Sequence, residues 1–300
     1  MNPEMLDKKS SNPLAGIGFM IAMTVCVALL DASAKYLTGE LPLWMVLWGR
    51  YLFHFLFVTI FFFRGRPREI IYTKKLRLQM LRSVLIFSAG VAFWGALKFM
   101  PLADCMVIAF ASPLFVAALS APVLKETVGK YRWGGIAIGL SGVVIVMHPG
   151  LGVFEWMSVL PLLAGFFYAS AQVTTRILCR TDNLLTTLIY TSIGGLLLSS
   201  AAVFFVWIPP TLQQWLLLMW LGFLGAIGHY LMIKAFELAP ASLLAPFDYT
   251  GILWATFLGF FIFHDLPDTW TITGAAVIIS SGIYIINRER HYAAALTLSK

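Results

Sequence analysis

Three charged or titratable side chains lie inside long apolar stretches near the start of this sequence, and these residues could do chemistry. Asp31 lies in the first stretch, and Arg50 and His54 lie one helical turn apart in the second. A guanidinium can bind a carboxylate through two parallel hydrogen bonds, while a carboxylate can bind an amine or carry a proton. An imidazole titrates near neutral pH. The three residues therefore predict recognition of a small polar molecule, with a proton as a candidate coupling ion.

The same residues also allow a structural interpretation. Asp31 and Arg50 could form a buried ion pair that joins two helices, and a histidine at this depth is often a hydrogen-bonded packing residue. Lys35 and Lys98, which flank the same region, are expected to extend toward the aqueous surface. From the sequence alone, both interpretations of Asp31 and Arg50 stay open.

Other apolar stretches contain further polar or aromatic candidates. Asp104 follows Pro101, Trp94 could form the wall of a cavity, and Tyr168 and Gln172 share one helix face. An ionisable residue inside a membrane is a candidate functional residue because its burial there costs about 2.5–3.5 kcal/mol. The candidates for substrate binding or coupling are Asp31, Arg50, His54, Trp94, Asp104, Tyr168, Gln172, His229, Asp248 and Tyr249.

The elements that must position these residues are membrane-spanning helices. The chain has 300 residues, of which 60% are hydrophobic and only 12% are charged, so its main solvent is predicted to be lipid. Its apolar runs are long enough to cross a bilayer as helices, and they lack the alternation of barrel strands. The sequence predicts an all-α integral membrane protein with ten spans, at 13–37, 41–63, 78–99, 101–123, 130–148, 154–176, 184–207, 213–235, 241–263 and 268–287.

The basic residues predict the orientation of these spans. With the N-terminus in the cytoplasm, all of the 21 lysines and arginines except Lys35, Arg50 and Lys98 fall on cytoplasmic segments. The C-terminus is then cytoplasmic as well, because the number of spans is even. We therefore expect a multi-pass protein of the inner (plasma) membrane with both termini inside.

Several other classes of function are disfavoured by the sequence. The basic run "RGRPREIIYTKKLRLQMLR" is interpreted as an anchor to anionic lipid, so no nucleic-acid partner is predicted. The three cysteines and five histidines lack metal-site spacing, and no glycine-rich nucleotide loop is present, so neither a cofactor nor a metal is predicted. An intramembrane enzyme would need clustered ligands, and a channel usually needs a symmetric ring of one residue type. Both are rival hypotheses that the sequence does not favour.

A repeat relates the two halves of the chain. The segment from Lys98 to Glu126 aligns without a gap with the segment from Glu237 to Asp265, at an offset of 139 residues, and Phe110 then corresponds to Tyr249. Five spans in each half would place the halves in the membrane in opposite directions. An inverted repeat of this kind predicts two nearly equivalent conformations, open to either side, which is the basis of alternating access.

The residues that carry this repeat also resemble a known family. The stretches "ALKFMPLADCMVIAFASPLFVAALSAPVLKE" and "GGIAIGLSGVVIVMHPG" are similar to those of the drug/metabolite transporter superfamily, in particular its EamA-type branch. The resemblance covers nearly the whole chain and implies ten helices in two five-helix repeats. The matching motif implies little about the substrate. Asp248 and Tyr249 depart from the pattern in the second repeat, so the two halves are not expected to be interchangeable at the site.

These observations lead to one predicted organisation and function. A cytoplasmic segment (1–12) precedes two EamA-type five-helix repeats (13–148 and 154–287), and a cytoplasmic tail (288–300) follows. The protein is predicted to be a secondary active transporter, not an enzyme, that moves a small polar organic metabolite, amino-acid-like or related. The resemblance implies an alternative, the import of a larger metabolite such as riboflavin or S-adenosylmethionine. Substrate, direction, coupling ion and oligomeric state are not determined by the sequence.

Overall fold

The computed structural model describes residues 12–62, 71–124, 130–147, 154–178, 181–238, 244 and 247–298. Within these ranges all regular secondary structure is helical, which confirms the prediction of an all-α protein. The described residues include the helices α1 (Pro13–Glu40), α2 (Leu43–Phe62), α3 (Leu76–Leu97), α4 (Leu102–Ala109), α5 (Ser112–Leu124), α6 (Lys130–Met147), α7 (Phe154–Leu178), α8 (Leu184–Val203), α9 (Leu212–Leu238), α10 (Thr250–Phe263) and α11 (Thr269–Leu298).

Most of these helices begin and end close to the predicted spans. Six of the described helices, α1, α2, α3, α7, α8 and α9, are long and apolar enough to cross a membrane. Shorter apolar stretches lie in α6, α10 and α11 and along α4 and α5. The fold is therefore that of a multi-pass membrane protein.

Polar residues at the helix starts explain where several of these helices begin. The side chain of Asn12 accepts a hydrogen bond from the backbone N–H of Ala15 at 3.1 Å, and Asn183 accepts one from Leu185 at 3.3 Å. Before α9, the backbone N–H of Thr211 donates to the Gln214 side chain, and the N–H of Gln214 donates back to the Thr211 hydroxyl. This reciprocal pair is a capping box.

The predicted span 101–123 differs from the structure, which has two helices there. The helix α4 ends at Ala109, residues 110 and 111 form a turn, and α5 begins at Ser112. Pro113 explains the break, because its ring would collide with the carbonyl group four residues earlier, that of Ala109. A methyl group added at Gly165 of α7 would lie 2.8 Å from that carbonyl oxygen, so a residue without a side chain allows α7 to pack against the break.

The helices of the first half (α1–α6) and the second half (α7–α11) pack in matching pairs. The three most extensive contacts join α1 with α9, α6 with α11 and α3 with α7. The pair α1 and α9 corresponds to the pair α7 and α3 when the halves are exchanged. The pair α5 and α7 likewise matches the pair α10 and α1, while α2 packs on α8 and α6 on α11. The aromatic rings of Phe110 and Tyr249, which the sequence repeat aligns, are in contact with centroids 5.5 Å apart.

The helices α6 and α11 form a closely packed pair. A methyl group added at Gly142 would lie 2.9 Å from the backbone oxygen of Gly274, and one added at Gly274 would lie 2.6 Å from that of Gly142. Small residues allow such close approach of helices in membranes.

Candidate functional site

Both halves of the chain contribute to one cavity of about 190 Å³. Its wall is mainly apolar and includes residues of α1, α2, α3, α4, α5, α7, α9 and α10, whereas α6, α8 and α11 contribute no lining residue among those described. Helices of both halves therefore form the wall. Of the ten candidate residues, six line the cavity: Asp31, Arg50, Trp94, Tyr168, His229 and Asp248.

Asp31 is held in the cavity wall by an aromatic residue. Its side chain is 6% exposed, and its Oδ1 atom accepts a hydrogen bond from the indole Nε1–H of Trp94 at 2.9 Å. Trp94 is itself almost completely buried and also lines the cavity. A carboxylate in an apolar environment requires such a donor, since an unpaired buried charge is costly.

Arg50 lies beside the same tryptophan and has no acidic partner among the described residues. Its Cζ atom is 4.9 Å from the ring centroid of Trp94 and 5.1 Å from that of Tyr51, at cation–π distance. Its Nε atom is buried without a hydrogen-bond partner among the described residues. None of the described carboxylates lies within 4.0 Å of the guanidinium. The direct ion pair with Asp31 that the sequence allowed is therefore not formed.

Glycines leave room for the Arg50 side chain. A methyl group added at Gly90 of α3 would lie 3.6 Å from Nη1 of Arg50, and one added at Gly225 of α9 would lie 3.6 Å from its Nε atom. Gly225 and Gly228 line the cavity. These glycines are not among the candidates predicted from the sequence, although small residues next to a buried charge are a usable signal.

His229 lines the cavity, whereas His54 lies behind it. The two imidazole rings are stacked, with centroids 5.6 Å apart and an interplanar angle of 29°. His54 is completely buried, and neither of its ring nitrogens has a hydrogen-bond partner among the described residues. The helix face of α2 that carries Arg50 and His54 therefore contacts the second half of the chain at His229.

Asp248 and Tyr168 are two further predicted candidates that line the cavity from the second half. Asp248 directly precedes the turn at Tyr249, after which α10 begins. Tyr168 of α7 donates a hydrogen bond from its hydroxyl group to the Sδ atom of Met232, at 3.7 Å. The cavity thus contains two carboxylates, one guanidinium and one imidazole within a mainly apolar wall.

Four of the predicted candidates do not line the cavity. His54 lies behind His229, and Tyr249 packs on Phe110 with its ring buried. Asp104 accepts a hydrogen bond from the hydroxyl group of Thr271 of α11 at 2.9 Å, which joins the two halves elsewhere. Gln172 is partly buried on α7 but is absent from the lining. Helix depth and face, which the sequence does indicate, do not determine which neighbouring helix a side chain meets.

Lys35 is partly exposed and has an acidic partner. Its Nζ atom lies 2.7 Å from Oδ2 of Asp265 and 4.7 Å from the ring centroid of Phe263. Asp265 is placed by the end of α10, where His264 has a left-handed backbone (φ 59°) and the N–H of Asp265 donates to the carbonyl of Gly259. This ion pair joins the end of α1 to the end of α10. Lys98, in contrast, is exposed as expected.

Arg82 has an internal role, although its sequence position predicted a cytoplasmic segment. Arg82 belongs to α3, is 5% exposed, and donates hydrogen bonds to Oγ1 of Thr175 on α7, at 2.6 Å, and to Oγ1 of Thr191 on α8. It therefore connects three helices away from the cavity. Its position only six residues after the start of α3 gave no indication of burial.

Comparison with known proteins identifies the family. The model of the EamA-like transporter family matches the chain twice, at residues 14–148 and 155–288. A protein named S-adenosylmethionine uptake transporter from Rickettsia bellii is 28% identical over 92% of this chain and 94% of its own. Proteins named riboflavin transporter from Rhizobium johnstonii and Vibrio cholerae are 26% and 27% identical, over 96% and 93% of this chain and 96% and 95% of theirs.

A solved crystal structure has the same fold. It superposes with a TM-score of 0.65 at 17% identity, covering 93% of this chain and 97% of its own. The two family matches cover nearly all of the described helices, and the named relatives are transporters and not enzymes, as the sequence analysis predicted. The chain therefore belongs to the EamA-like transporter family of the drug/metabolite transporter superfamily.

Proposed function

We propose that this protein is a secondary carrier that moves a zwitterionic, amino-acid-like metabolite across the inner membrane by alternating access. The observation that supports this most directly is the cavity to which both halves contribute, with Arg50, Asp31 and Asp248 in its wall. A cavity of this kind near the repeat interface is where carriers with internal repeats bind their substrates.

The charges of the cavity fit a substrate that carries both signs. Arg50 has no acidic partner within 4.0 Å among the described residues, so its planar fork is available to a substrate carboxylate. Asp31 and Asp248 can receive an amine or another cationic centre. The aromatic residues Trp94 and Phe110 and the apolar wall suit the uncharged body of such a molecule.

The substrates in the names of the relatives can be compared with the charges in the cavity. S-adenosylmethionine carries an α-carboxylate, an α-amine and a sulfonium cation, so it presents the charges that Arg50 and the two acids would bind. Riboflavin has a flat ring system and no carboxylate, so it would use the aromatic wall and leave Arg50 without a partner. The charges in the cavity therefore favour the amino-acid-like class, and riboflavin is the alternative to test beside it.

The proposed mechanism rests on a ten-helix fold with two inverted five-helix repeats. The pairwise packing of helices, which is preserved when the halves are exchanged, supports this proposal. The contact between Phe110 and Tyr249 supports it further, because these aligned residues mark the break of α4 from α5 and the start of α10. Two similar halves joined at their broken helices provide two conformations of similar energy.

The Lys35–Asp265 ion pair is the proposed gate on one side of the cavity. Lys35 follows Asp31 by one helical turn, and its partner lies at the end of α10 in the other half. In the predicted orientation, with the N-terminus inside, both ends lie on the outer side. Opening toward that side would separate these ends and break the pair, and re-forming it would close the cavity again.

Transport can be driven in two ways with this set of residues. Exchange of one substrate for another needs no coupling ion. Coupling to a proton gradient needs a titratable group that the cavity exposes, and Asp31, Asp248 and His229 line it. Proton uptake recorded during substrate uptake distinguishes the two modes.

Flux measurements in proteoliposomes test the proposed function. Purified protein is reconstituted and assayed for counterflow with S-adenosylmethionine, riboflavin, glutamate and lysine, after a thermal-shift screen of a wider panel of metabolites. Saturable counterflow is expected for a carrier, whereas linear flux without counterflow would indicate a channel, and a chemically altered product would indicate an enzyme.

Variants of Arg50 then test how the substrate is recognised. Arg50→Ala is expected to fold and to lose uptake of a carboxylate substrate by about tenfold or more, because a charge-assisted hydrogen bond is removed. Arg50→Lys should also fail, since a point charge does not replace a bidentate fork. Lys98→Gln, which removes an exposed charge outside the cavity, is the control. Full transport by Arg50→Ala combined with Asp31→Ala would refute the binding role of both residues.

A further inference from the structure

Trp94 contacts both charged residues that the first half contributes to the cavity. Its indole Nε1–H donates to Oδ1 of Asp31 at 2.9 Å, while the guanidinium carbon of Arg50 lies 4.9 Å from its ring centroid. Trp94 is 1% exposed, so the surrounding helices leave the ring little freedom to move. A single side chain therefore contacts both charges through two different interactions, a hydrogen bond and a cation–π contact.

Without this residue, the two charges would be expected to form a pair. Opposite charges in an apolar environment attract strongly, and an arginine and a carboxylate on adjacent helices commonly form a bidentate pair. The structure shows no such pair within 4.0 Å between Asp31 and Arg50, although both line the same cavity. Trp94 satisfies each charge separately and occupies the position beside both.

We propose that Trp94 is a positioning residue that keeps Asp31 and Arg50 apart, so that each charge remains available to the substrate. An ion pair between the two would neutralise both groups and leave the cavity without a free anion site. The identity of the substrate groups that Asp31 and Arg50 bind rests on the proposed function. The separation itself is a property of the protein alone and can be measured without any substrate.

The substrate-free test is a double-mutant cycle in two backgrounds. The apparent melting temperature of the purified full-length protein is measured for Asp31→Asn, Arg50→Gln and the double variant, first with Trp94 and then with Trp94→Phe. In the Trp94→Phe background, the coupling between positions 31 and 50 is expected to be larger by at least about 2 °C, because a direct pair forms. The same coupling in both backgrounds would overturn the proposal.

A matched control separates this effect from the general loss of an indole group. Trp48→Phe removes a comparable hydrogen bond, from Nε1 to Oγ of Ser200 at 3.1 Å, outside the cavity. It is expected to leave the coupling between positions 31 and 50 unchanged. If Trp94→Phe does not fold, 3-benzothienylalanine at position 94 keeps the ring shape and removes only the N–H donor, and the cycle is repeated with that variant.

A second readout uses S-adenosylmethionine as the probe. If Trp94 frees Arg50, Trp94→Phe weakens binding of the probe by about tenfold or more. The double variant Trp94→Phe with Asp31→Asn should then bind the probe as well as Asp31→Asn alone, because Arg50 no longer has Asp31 to pair with. Further loss in the double variant would overturn the positioning role. If the wild-type protein does not bind the probe, the proposed substrate fails, while the melting cycle still decides whether Trp94 separates the charges.

Discussion

Breaking the Lys35–Asp265 ion pair should open the cavity toward the predicted outer side. At 2.7 Å, Coulomb attraction amounts to about 6 kcal/mol at an effective dielectric constant of 20. Most of this is offset by desolvation, because the Lys35 side chain is 15% exposed and that of Asp265 is 35% exposed. We expect a net contribution of about 1 kcal/mol to the closed conformation, so Lys35→Gln should raise the open-to-closed ratio about fivefold.

The labelling rate of a cysteine inside the cavity reports this ratio. Ala89 of α3 lines the cavity and can be changed to cysteine after Cys26, Cys105 and Cys179 are replaced by alanine. Intact cells are exposed to a membrane-impermeant cationic thiosulfonate, which reaches position 89 only when the outer side is open. The labelling rate should rise about fivefold in Lys35→Gln.

Two controls make the interpretation specific. The exchanged pair Lys35→Asp with Asp265→Lys should return the labelling rate toward the wild-type value, because it restores the attraction between α1 and the end of α10. Lys98→Gln should leave the rate unchanged, since Lys98 is exposed. An unchanged rate in a folded Lys35→Gln variant would refute the gate.

Three further predictions concern packing, pH and topology. Gly274→Ala should lower the melting temperature by several degrees because its methyl group would lie 2.6 Å from the carbonyl oxygen of Gly142. Gly134→Ala should not lower it, because among the described residues no atom outside the adjoining backbone of its own helix would lie within 4 Å of the added methyl group. Burial raises the pKa of Asp182, but hydrogen bonds from Thr73 and Gln79 outweigh this effect and lower the pKa. Asp182→Asn should therefore destabilise the protein at neutral pH, and this destabilisation should disappear as the pH falls below about 4. Melting curves recorded over a pH series measure it. A reporter fused after residue 300 should be active only in a cytoplasmic format, and activity outside would contradict the predicted topology.

The helices could be predicted from the sequence because a membrane imposes a simple rule. Any segment that crosses lipid must form hydrogen bonds with all of its own backbone groups and present apolar side chains. Apolar runs therefore identify α1 to α3 and α7 to α9, and the bounds of these helices lie within a few residues of the prediction. The break between α4 and α5 was not predicted, although Pro113 marks it. Hydropathy does not change across that position, since the residues on both sides are equally apolar.

The candidate site could be predicted only in part, for a physical reason. The cost of burying a charge in lipid selected Asp31, Arg50 and Asp248, and the structure brings these to one cavity. The same rule could not separate them from Asp104, whose partner Thr271 is 167 residues away in the sequence. It also could not show that Lys35 meets Asp265, at a separation of 230 residues. Such contacts depend on the packing of the two halves, which one-dimensional patterns do not contain.

The helix pairs of the two halves correspond, but the charges that the halves contribute to the cavity do not, and this difference bears on the proposed transport cycle. Asp31 and Arg50 belong to the first half and Asp248 to the second, so a zwitterion bound to Arg50 and Asp248 would connect the two halves through its own body. A ligand shifts a conformational equilibrium only through contacts that differ between the states. Contacts that span the two halves are of this kind, since they change whenever the halves move relative to each other. A substrate that reaches across the cavity can therefore favour the transition between the open forms, whereas a molecule bound to one half alone makes the same contacts in both forms and has no such effect.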